Sequence, residues 1–298
     1  EFAMNREQAL NLFRNITVWK KGNQRAPNKP LLLLYAIGQL LNDRKQLPYS
    51  DIDEPLRNLL REFGPSRKTI HTEYPFWRLK NDLFEGEAIW ILSNHENAEL
   101  RSGNTDAKKS ELKRLRVCGQ LNPAISSLIK SDPNFLLEVC EVLLSENFPS
   151  TIHEDILNSC GISAISSISR PTRDPNFRKK VLTAYRNQCC ICRIGVQVDS
   201  ANIALEGAHI RWVQANGPNH VSNGLSLCPL HHKLFDRGAF TIAASMQIVV
   251  SERASGLGFK QVLGDFDKTE IQLPSTPSAY PDEKHLNWHY KEAFKQPH

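Results

Sequence analysis

Two short pairs constrain this chain more than anything else in it. Cys189-x-x-Cys192, in "CCIC", and Cys228-x-x-His231, in "LCPLHH", are separated by 35 residues. A two-residue gap lets one tight turn bring both side chains of a pair onto a single ion. Four Cys and His donors then close a tetrahedral sphere, which is the preference of structural zinc. One CxxC alone would leave open a buried apolar corner with a core cysteine; two pairs favour the ion. Cys190 is the spare thiol, because the 189/192 register suits a knuckle better than any pair using 190. Seven cysteines, an odd number, in a chain without a basic-then-apolar leader also read as metal binding in the cytoplasm rather than a disulfide framework. Cys118, Cys140 and Cys160 lie in helix-like segments and are expected to be small buried residues.

The 298 residues leave room for two domains, and 40% hydrophobic with 23% charged residues is ordinary for a globular chain. The leading "EFAM" reads as a vector remnant ahead of a start at Met4. No apolar run approaches the roughly 20 residues of a membrane span; the longest, Leu31 to Ile37, follows Pro30 and reads as a buried helix. Charge is unevenly placed. Residues 1–165 hold 21 basic and 21 acidic residues, so 166–298 hold 16 and 11, which is the whole net charge of +5. The second half is the better candidate for holding a polyanion.

The first half reads as mainly helical. "NREQALNLFRNI", "KPLLLLYAIGQLL" and "SDIDEPLRNLLREFG" place apolar residues at three- and four-residue spacing, the last stopping at Gly64. "YPFWRL" and "EAIWIL" look extended, and "KNDLFEG" between them predicts a β-hairpin. Helical patterns resume in "TDAKKSELKRLRV" and "DPNFLLEVCEVLL". In "TIHEDILNSCG", Thr151 and Glu154 have capping-box spacing. Ser-rich residues 161–174 form a linker between a domain over 1–160 and a second over 175–298. Asp174-Pro175 then starts a helix that leads to the cysteines.

His232 stands beside His231 but projects elsewhere, so it is available for a different task. Upstream, "LEGAHIRW" sets His209 in a strand-like context, and "SNGLSLC" sets Asn223 before a short strand. Alone, each would read as a core histidine and a turn residue. Together with the preceding CxxC, "GAHIRW" and "GPNHVSNGLSLCPLHHKLFDRGAFTI" resemble the restriction-type HNH nuclease domain over roughly residues 175–250. The resemblance implies a zinc-stapled ββα-metal fold. It makes His209 the general base toward a water attacking phosphorus, has Asn223 orient that imidazole through its side chain or its loop, and has His232 ligate a catalytic Mg²⁺ or Mn²⁺. Many such nucleases carry an acid or His immediately before the base; here it is Ala208. The second ligand must come from Glu206 or Asp236, with Asp236 preferred because it lies four residues after His232. Arg211, Lys233 and Arg237 are candidate phosphate contacts, or plain solvated bases.

In the first half, "RAPNKPLLLLYAI" and "TEYPFWRLKND" could be an ordinary helix start and a hydrophobic hairpin core. Upstream of an HNH domain they resemble the sulfur-binding domain of type IV restriction endonucleases that cut phosphorothioate-modified DNA, and "HLNWHYKEAF" at 285–294 resembles the closing helix of those enzymes. The resemblance implies an α+β chain: a mainly helical reader with a β-hairpin, followed by the nuclease. Its partner would be double-stranded DNA carrying phosphorothioate. A shallow apolar cup of Tyr74 and Pro75 would favour the weakly hydrated sulfur, with Arg25, Lys29, Arg78 and Arg101 as the cations around it. Two rivals stand beside this reading: an HNH enzyme reading methylated or hydroxymethylated cytosine through an aromatic pocket made from "YPFW", and a non-catalytic zinc-stabilised DNA-binding protein. Cutting both strands with one such site calls for a homodimer or two encounters.

Overall fold

The computed structural model describes residues 4–18, 24–98, 106–162, 175–199 and 201–297. The chain divides into two compact units. The first contains residues 1–20, 26–147 and 153–169; the second contains 170–298 together with two short segments from earlier in the chain, 21–25 and 148–152. Among the described residues, no helix is long and apolar enough to cross a membrane.

The first unit is built from helices α1 (Arg6–Arg14), α2 (Asn28–Leu41), α3 (Tyr49–Phe63), α4 (Glu73–Arg78), α5 (Lys109–Arg114), α6 (Pro123–Ser131), α7 (Pro133–Ser145) and α8 (His153–Ser159). Between them run short strands β1 (Leu47–Pro48), β2 (Leu83–Phe84), β3 (Glu87–Ala88), β4 (Trp90–Ser93) and β5 (Cys118–Leu121). Strands β1, β5 and β4 form one antiparallel sheet, and β2 with β3 forms a small separate hairpin. Asn5 and Gln8 cap α1 with the reciprocal bonds of a capping box, and Asp132 caps α7 through two backbone N–H groups. Helix α2 is the centre of this core: Leu31, Leu32, Leu33, Leu34 and Ile37 are fully buried. A run that is apolar on every side can only be an interior helix.

Three expectations for this half are corrected. "EYPFWR" is helix α4, not a strand. Pro75 sits in its first turn, where a missing N–H is harmless, and Phe76 packs against Tyr49 and Trp90 at centroid distances of 5.0 and 5.8 Å. Core packing overrides the β-preference of the aromatics, and the hairpin shrinks to β2 and β3. Thr151 makes no capping box, because α8 begins at His153 and the preceding turn, Ser150–Ile152, is 3-10. Cys118 lies half-buried in strand β5 rather than in a helix.

The second unit contains α9 (Pro175–Ala184), β6 (Gln197–Val198), β7 (Ala201–Asn202), β8 (Glu206–His209), β9 (Gly224–Leu227), α10 (Pro229–Asp236), β10 (Phe240–Ile242), β11 (Ile248–Val250), α11 (Phe259–Val262) and α12 (Glu283–Glu292). Among the described residues its strands pair only in antiparallel twos: β6 with β7, β8 with β9, and β10 with β11. Strand β8 runs Glu206↔Leu227 to His209↔Gly224 against β9. Helix α9 presses on one face of this ribbon. A Cβ on Gly224 would lie 2.4 Å from Val181 Cγ2, and one on Gly207 would lie 3.1 Å from the Arg178 Cα, so both glycines permit the close approach. Helix α10 leaves β9 directly, and this β8–β9–α10 unit carries the nuclease-like residues.

Candidate functional site

Two donor sets begin at neighbouring residues of α10. Cys228 precedes the helix, and Cys189, Cys192, Cys228 and His231 place one donor atom each within 4.8 Å of one another. Cys189 Sγ is 3.7 Å and Cys228 Sγ 3.2 Å from His231 Nδ1, and the Cys192 and Cys228 sulfurs are 4.0 Å apart. Tetrahedral zinc, with ligand bonds of about 2.0 to 2.3 Å, needs donor separations of roughly 3.6 to 3.8 Å; these separations straddle that range, so shifts of a few tenths of an ångström would seat the four atoms on the ion. His231 Nε2 lies 2.9 Å from the Val262 carbonyl. A carbonyl takes the proton at that nitrogen, which leaves Nδ1 as the metal-facing lone pair. Cys190 turns inward; burial holds its thiol well above the ordinary value, as suits the spare cysteine.

One residue further along, His232 is buried between two carboxylates. Its Nδ1 lies 2.5 Å from Glu206 Oε2, and its Nε2 lies 3.2 Å from Asp236 Oδ2. The two carboxylates that sequence left as alternatives therefore both touch this ring, but from opposite sides. The Glu206 side chain is 29% exposed, whereas that of Asp236 is 2% exposed. Asp236 Oδ2 also accepts from the Thr151 hydroxyl. Burial pushes the Asp236 carboxyl up, but the His232 imidazole and the Thr151 bond outweigh it and hold the group below the usual carboxylate range. Asp236 is thus enclosed and already engaged, while Glu206 is the carboxylate that faces outward.

His209 occupies the other face of β8. Side chains alternate along a strand: Glu206 and the fully buried Ala208 point toward α10, whereas the His209 ring stacks on Phe177 of α9 at 3.9 Å. His209 Nε2 lies 2.8 Å from Asn219 Oδ1. An oxygen there selects the Nε2–H tautomer, in which Nδ1 carries the lone pair. Asn223 does not reach the ring. Its Oδ1 accepts from the Arg211 N–H, and its Nδ2 donates to the Arg211 and Pro218 carbonyls, so it pins the loop while Asn219 holds the imidazole. Sequence reasoning passed over Asn219, although it stands in the quoted "GPNHVSNG". Arg211 Nε donates to the Ala215 carbonyl, which makes it a loop brace.

The expected sulfur-site residues scatter. Arg25 belongs to the second unit: its backbone N–H and Nη1 bond Glu292 at 2.8 Å, and its guanidinium lies 3.9 Å from the Trp212 ring. Lys29 is in the first unit and forms a buried ion pair with Asp82 at 2.7 Å. Both are engaged within the chain: Lys29 is satisfied by a counter-charge, and the Arg25 guanidinium meets the Glu292 carbonyl and the Trp212 ring. Pro75 is buried in α4, so a cup formed by Tyr74 and Pro75 faces is corrected. What stands at the half-buried edge is Tyr74, stacked on His71 at 4.5 Å and capped by Arg78 at 4.6 Å. Arg78 in turn grips Asp106 with Nε at 2.8 Å and Nη2 at 2.5 Å. Phe76 and Trp77 are core residues, so "YPFW" cannot wall a base-flipping pocket. Arg101 lies outside the described residues.

Comparisons with known proteins agree with the two-part reading. Residues 6–165, more than half of the chain, match the family model of the ScoMcrA-like DNA sulfur-binding domain, and residues 189–243 match an HNH endonuclease model. Among solved structures, the sulfur-binding domain of ScoMcrA complexed with phosphorothioated DNA is similar at 20% identity, covering 51% of this chain and 97% of that one, with a TM-score of 0.44. That of SprMcrA, also with phosphorothioated DNA, is similar at 22% identity over 53% and 95%, TM-score 0.45. The type IV phosphorothioation-dependent restriction endonuclease ScoMcrA is similar at 20% identity, over 50% of this chain and 32% of that one, TM-score 0.40. No curated protein matches the sequence.

Proposed function

Because the chain belongs to the ScoMcrA-like DNA sulfur-binding domain family and carries an HNH endonuclease domain behind it, we propose that it is a type IV, modification-dependent DNA endonuclease of the cytoplasm. Residues 1–160 hold phosphorothioated duplex DNA, 161–174 link, and 175–298 hydrolyse a phosphodiester bond with the help of Mg²⁺ or Mn²⁺. The observation that carries the nuclease reading is His232, buried between Glu206 and Asp236 with one ring nitrogen toward each.

The exposed side of that arrangement, His232 Nδ1 with Glu206, would hold the divalent cation, and Asp236 orients the ring through Nε2. This gives the ligand role to Glu206 rather than to the preferred Asp236. A cation held there supplies charge stabilisation for the scissile phosphate and the leaving oxygen. His209 takes the proton of the attacking water at Nδ1, the nitrogen left basic by the Nε2 contact with Asn219. Since His209 and Glu206 leave opposite faces of β8, a phosphate served by both would have to lie across an edge of that strand. In the reader, the half-buried edge of the Tyr74 ring would meet sulfur, with the Arg78 that caps it as the neighbouring cation.

The test compares a plasmid carrying phosphorothioate with the identical unmodified plasmid, in Mg²⁺ or Mn²⁺. Cutting of the modified plasmid alone is expected, with His209→Ala slower by about 10²–10⁴-fold while binding of modified duplex persists. Equal cutting of both plasmids would sink the sulfur reading, and undiminished cutting by His209→Ala would sink the assignment of the base.

A further inference from the structure

Thr151 lies in the stretch that matches the sulfur-binding domain model, yet it folds into the second unit. Its hydroxyl donates to Asp236 Oδ2, the same oxygen that faces His232 Nε2. The short segment carrying it is held firmly: Phe148 is fully buried beneath the Arg25 guanidinium, and Ile152 is buried as well. Eighty-five residues separate Thr151 from Asp236, so the pairing is no accident of local turn geometry.

We propose that Thr151 is a positioning residue for the nuclease site, supplied by the reader's own stretch of sequence. The inference rests on the nuclease reading above and deepens it. A carboxylate that orients a metal-binding imidazole can rotate about its own χ2 angle, and each rotation re-aims the ring. Two donors converging on one oxygen, an imidazole N–H and a hydroxyl, leave Asp236 a single orientation. His232 is then fixed with Nε2 toward Asp236 and Nδ1 toward Glu206. Loss of the hydroxyl leaves a 2% exposed carboxylate one donor short, so it turns to recover a bond. Outer partners of metal-binding histidines are commonly worth 10- to 100-fold in metal affinity or activity. The nuclease site would accordingly be completed only when residues 148–152 are seated within the second unit.

The experiment uses the full chain with Thr151→Val, which keeps the shape and removes the donor, and Thr151→Ser, which restores it. Three quantities are read: cleavage of phosphorothioated plasmid, Mn²⁺ affinity by electron paramagnetic resonance without DNA, and affinity for phosphorothioated duplex without metal. Thr151→Val should lose about tenfold in turnover and in Mn²⁺ affinity, with duplex affinity and KM unchanged, and Thr151→Ser should recover both losses. Parental turnover and Mn²⁺ affinity in Thr151→Val would overturn the proposal. So would equal losses in Thr151→Ser, since the effect would then be packing of the methyl group. If the parent chain neither cuts nor binds Mn²⁺, the nuclease reading itself fails, and the positioning role with it.

Discussion

The two units bury charge in opposite ways. In the first, each buried carboxylate among the described residues has a cation from the chain: Asp82 has Lys29, Asp53 has Arg57 and Lys113, Glu73 has Lys109, and Asp106 has Arg78. In the second, the donors of the candidate site converge on one another: three cysteines with His231, and His232 with Glu206 and Asp236. The first unit thus supplies the counter-charges of these buried carboxylates from its own sequence. In the second, the converging donors are of the kind that a cation from solution would satisfy. Among the described residues its strands pair only in twos, and isolated two-stranded ribbons are marginal on their own, so an ion held by Cys189, Cys192, Cys228 and His231 would add to the fold.

The largest expected effect follows from that contrast. Strong chelation, or Cys228→Ser, should unfold the second unit, since a structural zinc contributes on the order of 10 kcal/mol. The first unit should keep its own melting transition. Hydrogen exchange resolved by segment checks this, and loss of protection in α2 together with α10 would break the contrast.

An intermediate effect is expected inside the first unit. Lys29→Met leaves Asp82 buried without its counter-charge and should cost about 3–5 kcal/mol, with Lys29→Met/Asp82→Leu recovering most of the loss. Urea titration of the three proteins measures it. A cost below about 1 kcal/mol would mean that the pair acts like a surface bridge.

The smallest effect is a difference in acid sensitivity. His289 is buried in the second unit between Thr241 and the Phe235 carbonyl, and burial lowers its pKa to about 4 from 6.5. As pH falls, the unfolded chain takes up this proton first. The stabilising contribution is therefore complete above pH 6.5 and is lost progressively down to about pH 4, amounting to up to about 3 kcal/mol. In the first unit, burial raises the Asp53 carboxyl, but Lys113, Thr72 and its other partners outweigh that and hold it well below the usual range. That contribution is present above the usual carboxylate pKa and is lost only at lower pH. Acid should therefore weaken the second unit first, and His289→Gln should flatten the slope between pH 6.5 and 4. An unchanged slope would assign the sensitivity to other groups.

What sequence alone determined here is what the chain does over short distances. Knuckle spacing at Cys189/Cys192 and Cys228/His231 is legible because chelation by one turn is a local matter. The interior character of α2 is legible because an apolar run on every side has nowhere else to go. Spacing also brought Glu206 and Asp236 into question, but only the fold put them on opposite nitrogens of His232 and made one exposed and the other enclosed. Tertiary structure alone decided that Lys29 belongs to Asp82, 53 residues away, that "YPFWR" coils rather than extends, that Asn219 rather than Asn223 touches His209, and that Thr151 serves Asp236. In each of these cases the deciding energy comes from burial against a partner distant in sequence. Local propensities amount to tenths of a kcal/mol per residue, whereas an unpaired buried charge or donor costs several times that, so the distant partner prevails.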